Sequence, residues 1–163
     1  MIREIETRRS IRKYSEKEVS KDTLKDLLKA AMHAPTARNL QEWRFVASNN
    51  REVLDKISTI NGYQMLKDAK AVIVVCGDTN ISNYEYVHVD CALATQNILL
   101  EATHLGLGAC LCAGNPRKDR IAPLIEYLKL KENILPVAII SIGYPAEEKT
   151  IEYRYDENKI TWL

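Results

Sequence analysis

Glycine and proline are scarce in this chain, six and five in 163 residues, and the sequence contains only one phenylalanine and two tryptophans. So few flexible or chain-breaking residues beside 46% hydrophobic ones exclude a disordered or fibrous polymer. Excess charge is also missing, since Lys+Arg 23 against Asp+Glu 22 leaves a formal net charge of +1. The field of such a molecule is weak, which argues against nucleic acid as a partner. No apolar run is long. Ala71–Cys76 and Ile134–Ile140 fall far short of the roughly 18 residues a membrane span needs. The first six residues hold two acids and no apolar stretch, unlike a secretory leader, and the last five carry no cysteine for prenylation. A cytoplasmic protein without membrane contact is the expectation. Its four cysteines are then expected to be reduced thiols. Cys110-x-Cys112 puts both thiols on one face of a strand, and no second Cys or His pair lies nearby to complete a metal site.

At roughly 150 residues per domain, residues 1–163 read as one domain. A first helix spans Ile2–Arg8. Ser20 caps a second whose Leu24, Leu27, Leu28 and Ala31 recur at helical spacing, ending before Pro35. Trp43–Ala47 alternates as a strand, and a short helix follows over Arg51–Thr59. Ala71–Cys76 is a continuous apolar strand closed by the turn Gly77-Asp78-Thr79-Asn80. Tyr84–Leu105 is a long helix, apolar on more than one face, terminated by Gly106 and Gly108. Ala109–Ala113 and Val137–Ile142 are strands. Asn115-Pro116 is the expected start of a helix in which Pro123 predicts a kink or break. Alternating helices and strands alone point to a doubly wound parallel sheet.

Motifs for hydrolysis and phosphate transfer are absent: there is no H-E-x-x-H, G-x-S-x-G or G-x-x-x-x-G-K-[ST]. Gly106-Leu-Gly108-Ala-Cys-Leu111 lacks the third glycine of a dinucleotide fingerprint and follows a helix. His33, His88 and His104 are scattered and read as ordinary surface or core histidines. Two clusters remain. Arg8, Arg9 and Arg12 surround Ser10, a combination that suits a phosphate dianion because guanidinium forks bind its oxygens bidentately. The same cations also suit a helix C-terminus with no ligand at all. Residues 34–43, Ala-Pro-Thr-Ala-Arg-Asn-Leu-Gln-Glu-Trp, form a loop of small and amide-bearing residues. Amides can pair with a heterocycle that presents alternating N–H and C=O groups, although a polar loop needs no ligand.

Taken in order, Arg8-Arg9-Ser10-Ile11-Arg12 and Ala34-Pro35-Thr36-x-x-Asn39-x-Gln41-x-Trp43-x-Phe45 resemble the FMN-dependent nitroreductase family. So do Asp90 with Ala94-x-Gln96-Asn97-x-Leu99-Leu100, Gly106-Leu-Gly108-Ala-Cys110, and Ile142-Gly143-Tyr144-Pro145 with Arg154 beyond. The resemblance, to the compact branch of the family, spans nearly the whole chain.

The resemblance implies an α+β fold of three αβα layers with a mixed, largely antiparallel central sheet. It also implies an intertwined homodimer with two FMN sites at the subunit interface, which overrides the parallel-sheet rule. The tail from about 146 to 163 is expected to pack on the partner. By the same resemblance Arg8, Arg9 and Ser10 meet the phosphate and ribityl of FMN, and Arg12 lies on the flavin's pyrimidine side. Pro35, Thr36, Ala37, Asn39 and Gln41 line the ring from the partner subunit, Ala113 and Gly114 present backbone to flavin N5, and Arg154 returns to the phosphate. The chain departs at Glu42, where the family most often has proline, which loosens the turn and adds a carboxylate near a site for anions.

The implied activity is hydride transfer from NADH or NADPH through flavin N5 to a small aromatic acceptor (a nitroaromatic, a quinone or a flavin) by a ping-pong mechanism. The flavin performs the redox step, so no catalytic nucleophile, acid–base dyad or metal is expected. The resemblance equally covers proteins that fragment flavin or dehalogenate tyrosines reductively, and a non-enzymatic flavin-binding redox sensor or store is the alternative outside catalysis. Tyr63, Tyr84 and Tyr86 could gate a pocket or simply pack, and are assigned to no site.

Overall fold

The structure, a computed structural model of the chain, describes residues 1–82 and 84–163. Its helices are α1 (Arg3–Thr7), α2 (Lys21–Met32), α3 (Arg51–Ser58), α4 (Tyr84–His104) and α5 (Lys118–Leu128). Its strands are β1 (Trp43–Ser48), β2 (Ala71–Asp78), β3 (Gly108–Ala113) and β4 (Ile134–Gly143). They form one sheet in the order β1-β2-β4-β3. Every strand pair is antiparallel, and the parallel element is a single bridge between Ser10 and Ala109. The doubly wound parallel arrangement that simple alternation suggests is not formed. The three-layer α+β architecture is.

β2 shows why its apolar run is unbroken. Its alternate side chains serve two cores: Ala71, Ile73 and Val75 pack with α2 and α4, while Val72, Val74 and Cys76 pack beneath α3 and α5. Burying each valine or isoleucine contributes roughly 1.5–3 kcal/mol, so this strand anchors both layers. Ser20 caps α2 by accepting the Thr23 N–H, and Leu24, Leu27 and Ala31 are buried at the expected spacing. α4 covers the sheet with Val87, Cys91, Ala94, Ile98 and Ala102. Its opposite face leaves Tyr86, Val89 and Leu93, at i, i+3 and i+7, exposed at 50%, 56% and 40%.

Several boundaries differ from the sequence reading, β4 among them, which starts at Ile134 rather than Val137. β2 continues through Gly77 and Asp78, because a side chain at Gly77 would fall 2.3 Å from Val87 and only glycine lets α4 lie this close. α5 starts at Lys118 rather than at Asn115-Pro116, whose place is taken by a turn in which the Arg117 N–H donates to the Gly114 carbonyl at 2.9 Å. Pro123 neither ends nor interrupts α5: it lies on the exposed side and forfeits one backbone bond in the second turn. Gly106 closes α4 with φ +72, whereas Gly108 opens β3. No helix among the described residues is long and apolar enough to cross a membrane.

Candidate functional site

After α1 the chain runs extended along the edge of β3. The Ile11 N–H donates to the Ala109 carbonyl at 3.1 Å, and further on the Ser15 N–H donates to Tyr144 at 2.8 Å. Tyr14 nails this segment down: its hydroxyl donates to the Ile11 carbonyl at 2.6 Å and lies 2.7 Å from Ser141 Oγ. Two glycines make room for it. A Cβ on Gly108 would sit 2.7 Å from Ile11 Cβ, and one on Gly143 2.8 Å from Tyr14 Cδ1.

The arginines are thereby fixed at the sheet edge. Arg8 is half-buried, and burial, then Arg154 and Arg9, lower its pKa from the usual value. No carboxylate pairs with it among the described residues. Of its neighbours Arg154 reaches Glu152 at 3.9 Å, so it is Arg8 that is short of an anion. Arg9 is mostly engaged already: Nε donates to the Thr150 carbonyl at 2.9 Å and Nη1 to Glu6 and Arg8 carbonyls at 3.0 and 2.6 Å. Only its buried Nη2 has no partner. Arg12 is exposed, and its backbone N–H donates to Glu147 at 2.7 Å. Lys149, then that N–H, hold Glu147 down to about 2. The Cys110 thiol lies in the same field, pulled down by its neighbour Cys112 first and also by Arg12, Ser10 and Arg8.

The loop of residues 34–41 is built differently. Arg38, Asn39 and Gln41 all adopt left-handed φ, +53, +55 and +52. Non-glycine residues in that region cost of order 1 kcal/mol each and persist where surrounding bonds hold them. Here the Gln41 N–H donates to Thr36 Oγ1 at 3.0 Å, Gln41 Nε2 to Asn39 Oδ1 at 2.9 Å, and the Ala37 N–H to Asp90 Oδ2 at 2.9 Å. Pro35, Asn39 and Gln41 are exposed, while Thr36 and Ala37 are half-buried. A hollow of about 350 Å³ lined by Ala37, Arg38, Leu40, Ile81, Ser82 and Tyr86 opens beside the loop.

One chain does not bring these two halves together. The loop leads into β1 and the arginines lie on β3, the opposite edges of the sheet. Three strand spacings separate those edges, about 14 Å. They also sit at opposite ends of α4, the loop bonded to Asp90 and α1 bonded through Glu4 to His104. Ala113 ends β3 on the arginine side, with its backbone on the outer edge by the antiparallel alternation. The Gly114 N–H is not available there, because it donates to Val137 at 2.9 Å.

Comparison with known proteins decides the family. The nitroreductase family model matches residues 5–68 and 59–144. The chain belongs to the nitroreductase family. An Archaeoglobus fulgidus protein provisionally named an NADH dehydrogenase/NAD(P)H nitroreductase is 44% identical over 151 residues, 91% of this chain and 87% of its own. An FMN-dependent nitroreductase from Clostridium difficile superimposes with TM-score 0.91 at 34% identity, covering 99% of this chain and 98% of its own. A Desulfovibrio desulfuricans protein provisionally named a nitroreductase, solved in complex with FMN, gives TM-score 0.88 at 29% identity, covering 98% and 94%.

Within this nitroreductase fold, Glu42 does not stand where a carboxylate beside an anion site was expected. It is wholly buried and turned inward against Asp90, which is 4% exposed. Burial pushes the Glu42 carboxyl up, and Asp90 pushes the same way. A charged residue after Gln41 gives no sign of this in the sequence. Arg120 also escaped the sequence reading: it lies 5.9 Å over the ring of Tyr63, whose hydroxyl donates to the Ala113 carbonyl at 3.4 Å. Tyr63 is a core residue, Tyr86 is half exposed beside the loop, and the side chain of Tyr84 lies outside the described residues. Among the described residues no group of His, Cys, Asp or Glu could hold a metal ion.

Proposed function

We propose that the chain is an FMN-dependent oxidoreductase that takes hydride from NADH or NADPH and delivers it to a small aromatic acceptor: a nitroaromatic, a quinone or a flavin. The observation that carries the reading is the guanidinium cluster of Arg8, Arg9 and Arg154, lacking a carboxylate partner for Arg8, at the head of the outer edge of β3, which no further strand covers beyond the bridge at Ala109. From Ala109 to Ala113 that edge runs about 14 Å, a suitable length for an extended ligand with an anion at one end. A phosphate fits the arginines, since Arg8 has no carboxylate partner among the described residues, the exposed Arg154 reaches only Glu152 at 3.9 Å, and the buried Nη2 of Arg9 lacks an acceptor. FMN, when bound, supplies two-electron hydride acceptance and donation.

The chain's residues bind and orient. Arg8, Ser10 and Arg154 hold the phosphate, with Arg9 both tying the tail at Thr150 and offering one N–H. Arg12 supplies positive charge on the pyrimidine side of the ring, where negative charge develops on reduction. Ala113 offers edge backbone, and Gly114 keeps that edge in register through Val137. Pro35, Thr36, Ala37, Asn39 and Gln41 of a second copy close the ring side, because a chain's own loop lies across the sheet from its own arginines.

A homodimer is supported by two uncovered apolar surfaces. One is the α4 stripe Tyr86, Val89 and Leu93. The other is the tail beyond Ala146, which forms only a short turn at Glu157–Lys159 and exposes Ile151, Tyr153, Tyr155, Trp162 and Leu163. Patches of this kind mark interfaces.

The test is a visible spectrum of the purified protein, followed by NADH or NADPH without oxygen. A flavin spectrum that bleaches on adding the nucleotide is expected. A colourless protein that also fails to take up added FMN contradicts the proposal.

A further inference from the structure

A second hollow, of about 390 Å³, opens on the α3 and α5 side of the sheet, where β2 ends and β4 begins. Its floor is apolar: Val46, Leu130 and Ile134 are half-buried and pack against the core beneath α3 and α5. Its rim carries three cations, Arg44, Lys129 and Lys131, against one carboxylate, Asp78. Arg44 and Asp78 are already committed. Arg44 Nη1 donates to the Trp43 carbonyl at 2.7 Å, and its Nη2 lies 3.5 Å from Asp78. Asp78 also accepts from Asn133 Nδ2 at 2.7 Å and from the Asn80 N–H at 3.1 Å. Lys129 and Lys131 are exposed, and neither forms a salt bridge among the described residues. Glu132, the nearest acid along the chain, lines the neighbouring hollow with Thr79 and Asn80. Two unpaired ammoniums above an apolar floor suit a dianion joined to a flat apolar body. A phosphate monoester carries a charge of about −1.5 to −2 at pH 7, and a purine supplies such a body.

The hollow lies at the end of the sheet that also carries Ala113. β4 pairs with β2 at Asp78 and Ile134, and with β3 at Ala113 and Ala138. Two strand spacings and the rise from Ile134 to Ala138 put Asp78 roughly 16 Å from Ala113, a span that an extended dinucleotide covers. On the other side Arg44 Nη1 also reaches the loop, donating to the Gln41 carbonyl at 3.5 Å. We infer that this hollow receives the adenine and 2′-phosphate of NADPH, and that Lys129 and Lys131 thereby select NADPH over NADH as electron donor. The inference rests on the function proposed above, which supplies the donor. NADH has a hydroxyl where NADPH has the phosphate, so it leaves both ammoniums without a counter-charge. Lys129 and Lys131 set specificity, and neither is placed at the flavin ring.

The experiment titrates the full chain, saturated with FMN, with adenosine 2′,5′-bisphosphate and with adenosine 5′-monophosphate by calorimetry. The bisphosphate is expected to bind at least about tenfold more tightly, the weight of one charge-assisted contact. Lys129 closes α5 with φ +52, a left-handed position in which glycine is the ordinary choice. Lys129→Gly therefore removes the ammonium without straining the backbone. Its unfolding midpoint is expected to hold while affinity for the bisphosphate falls about tenfold. Lys131→Ala is expected to lose a similar factor, and in the double variant the KM ratio of NADH to NADPH should fall toward one. Equal affinity for the two nucleotides in the parent overturns the inference, as does a variant that binds the bisphosphate as tightly as the parent. Inorganic phosphate that competes as well as the bisphosphate also overturns it, because the adenine then adds nothing. A chain that takes up FMN and bleaches with NADH or NADPH, yet binds no bisphosphate, keeps the proposed function and overturns this inference. A chain that binds the bisphosphate through the two lysines but takes up no FMN supports the hollow as a site for phosphorylated adenosine and overturns the flavin assignment.

Discussion

The arginine half and the loop half of the candidate site hold their residues by opposite means. The arginine segment is ordinary extended backbone, bonded to Ala109 and Tyr144 and pinned by the buried hydroxyl of Tyr14. What it offers is charge at the tips of long side chains, so the residue types alone suit an anion, as they equally suit a helix C-terminus. The loop offers shape. Its conformation rests on three left-handed residues that few sequences would choose, held by Thr36, Asn39 and Asp90. Part of what creates that surface therefore lies outside the loop, in Asp90 of α4. That support leaves no local motif. A half-site that recognises charge is robust to its backbone, whereas one that recognises shape depends also on groups outside its own segment.

This contrast can be broken at either side. Arg8→Glu removes charge-assisted bonds and adds repulsion, so FMN affinity should fall by about a hundredfold or more, taking roughly 1.5–3 kcal/mol for each such bond. A fluorescence titration of flavin reads it, and an unchanged dissociation constant removes Arg8 from the site. Tyr14→Phe leaves the Ile11 carbonyl and Ser141 without the hydroxyl, which should lower stability by about 1–3 kcal/mol in urea unfolding. Thr36→Ala takes away the acceptor for the Gln41 N–H in an exposed loop, and FMN affinity should weaken by about fivefold with no change in unfolding midpoint.

The smallest effect is an acid one. Glu147 has its pKa depressed in the fold from an ordinary 4.5 to about 2. Its contribution is therefore complete above pH 4.5 and lost as pH falls toward 2. Protection of the Arg12 and Lys13 amides, both donors to Glu147, should disappear in that window while protection of β2 persists.

Much of the frame is legible in the sequence. The Ser20 cap, the 3.6-residue spacing of Leu24, Leu27 and Ala31, and the apolar run of β2 are local patterns with one structural solution. What stayed hidden is tertiary. β2 runs on through Gly77, where any side chain would collide with Val87 of α4. Pro136 sits in β4 opposite Cys76, where the register shifts and a bulge tolerates the missing N–H. Pro123 fits within α5 because its ring faces solvent. The residues of the arginine cluster could be named in advance, but not that Arg9 is engaged by Thr150. Glu42 reads as a surface acid in any local scheme, and its complete burial appears only in the fold.

The central claim is that each flavin site takes its arginines from one chain and its loop from another. Differently tagged Arg8→Glu and Thr36→Trp chains, co-expressed and purified through both tags, test it directly by flavin content. Each variant alone should bind no FMN. In the mixed dimer one site carries both defects and the other carries none, so the account predicts one FMN per two chains. A mixed dimer that stays empty would place both halves of each site on the same chain and contradict the account.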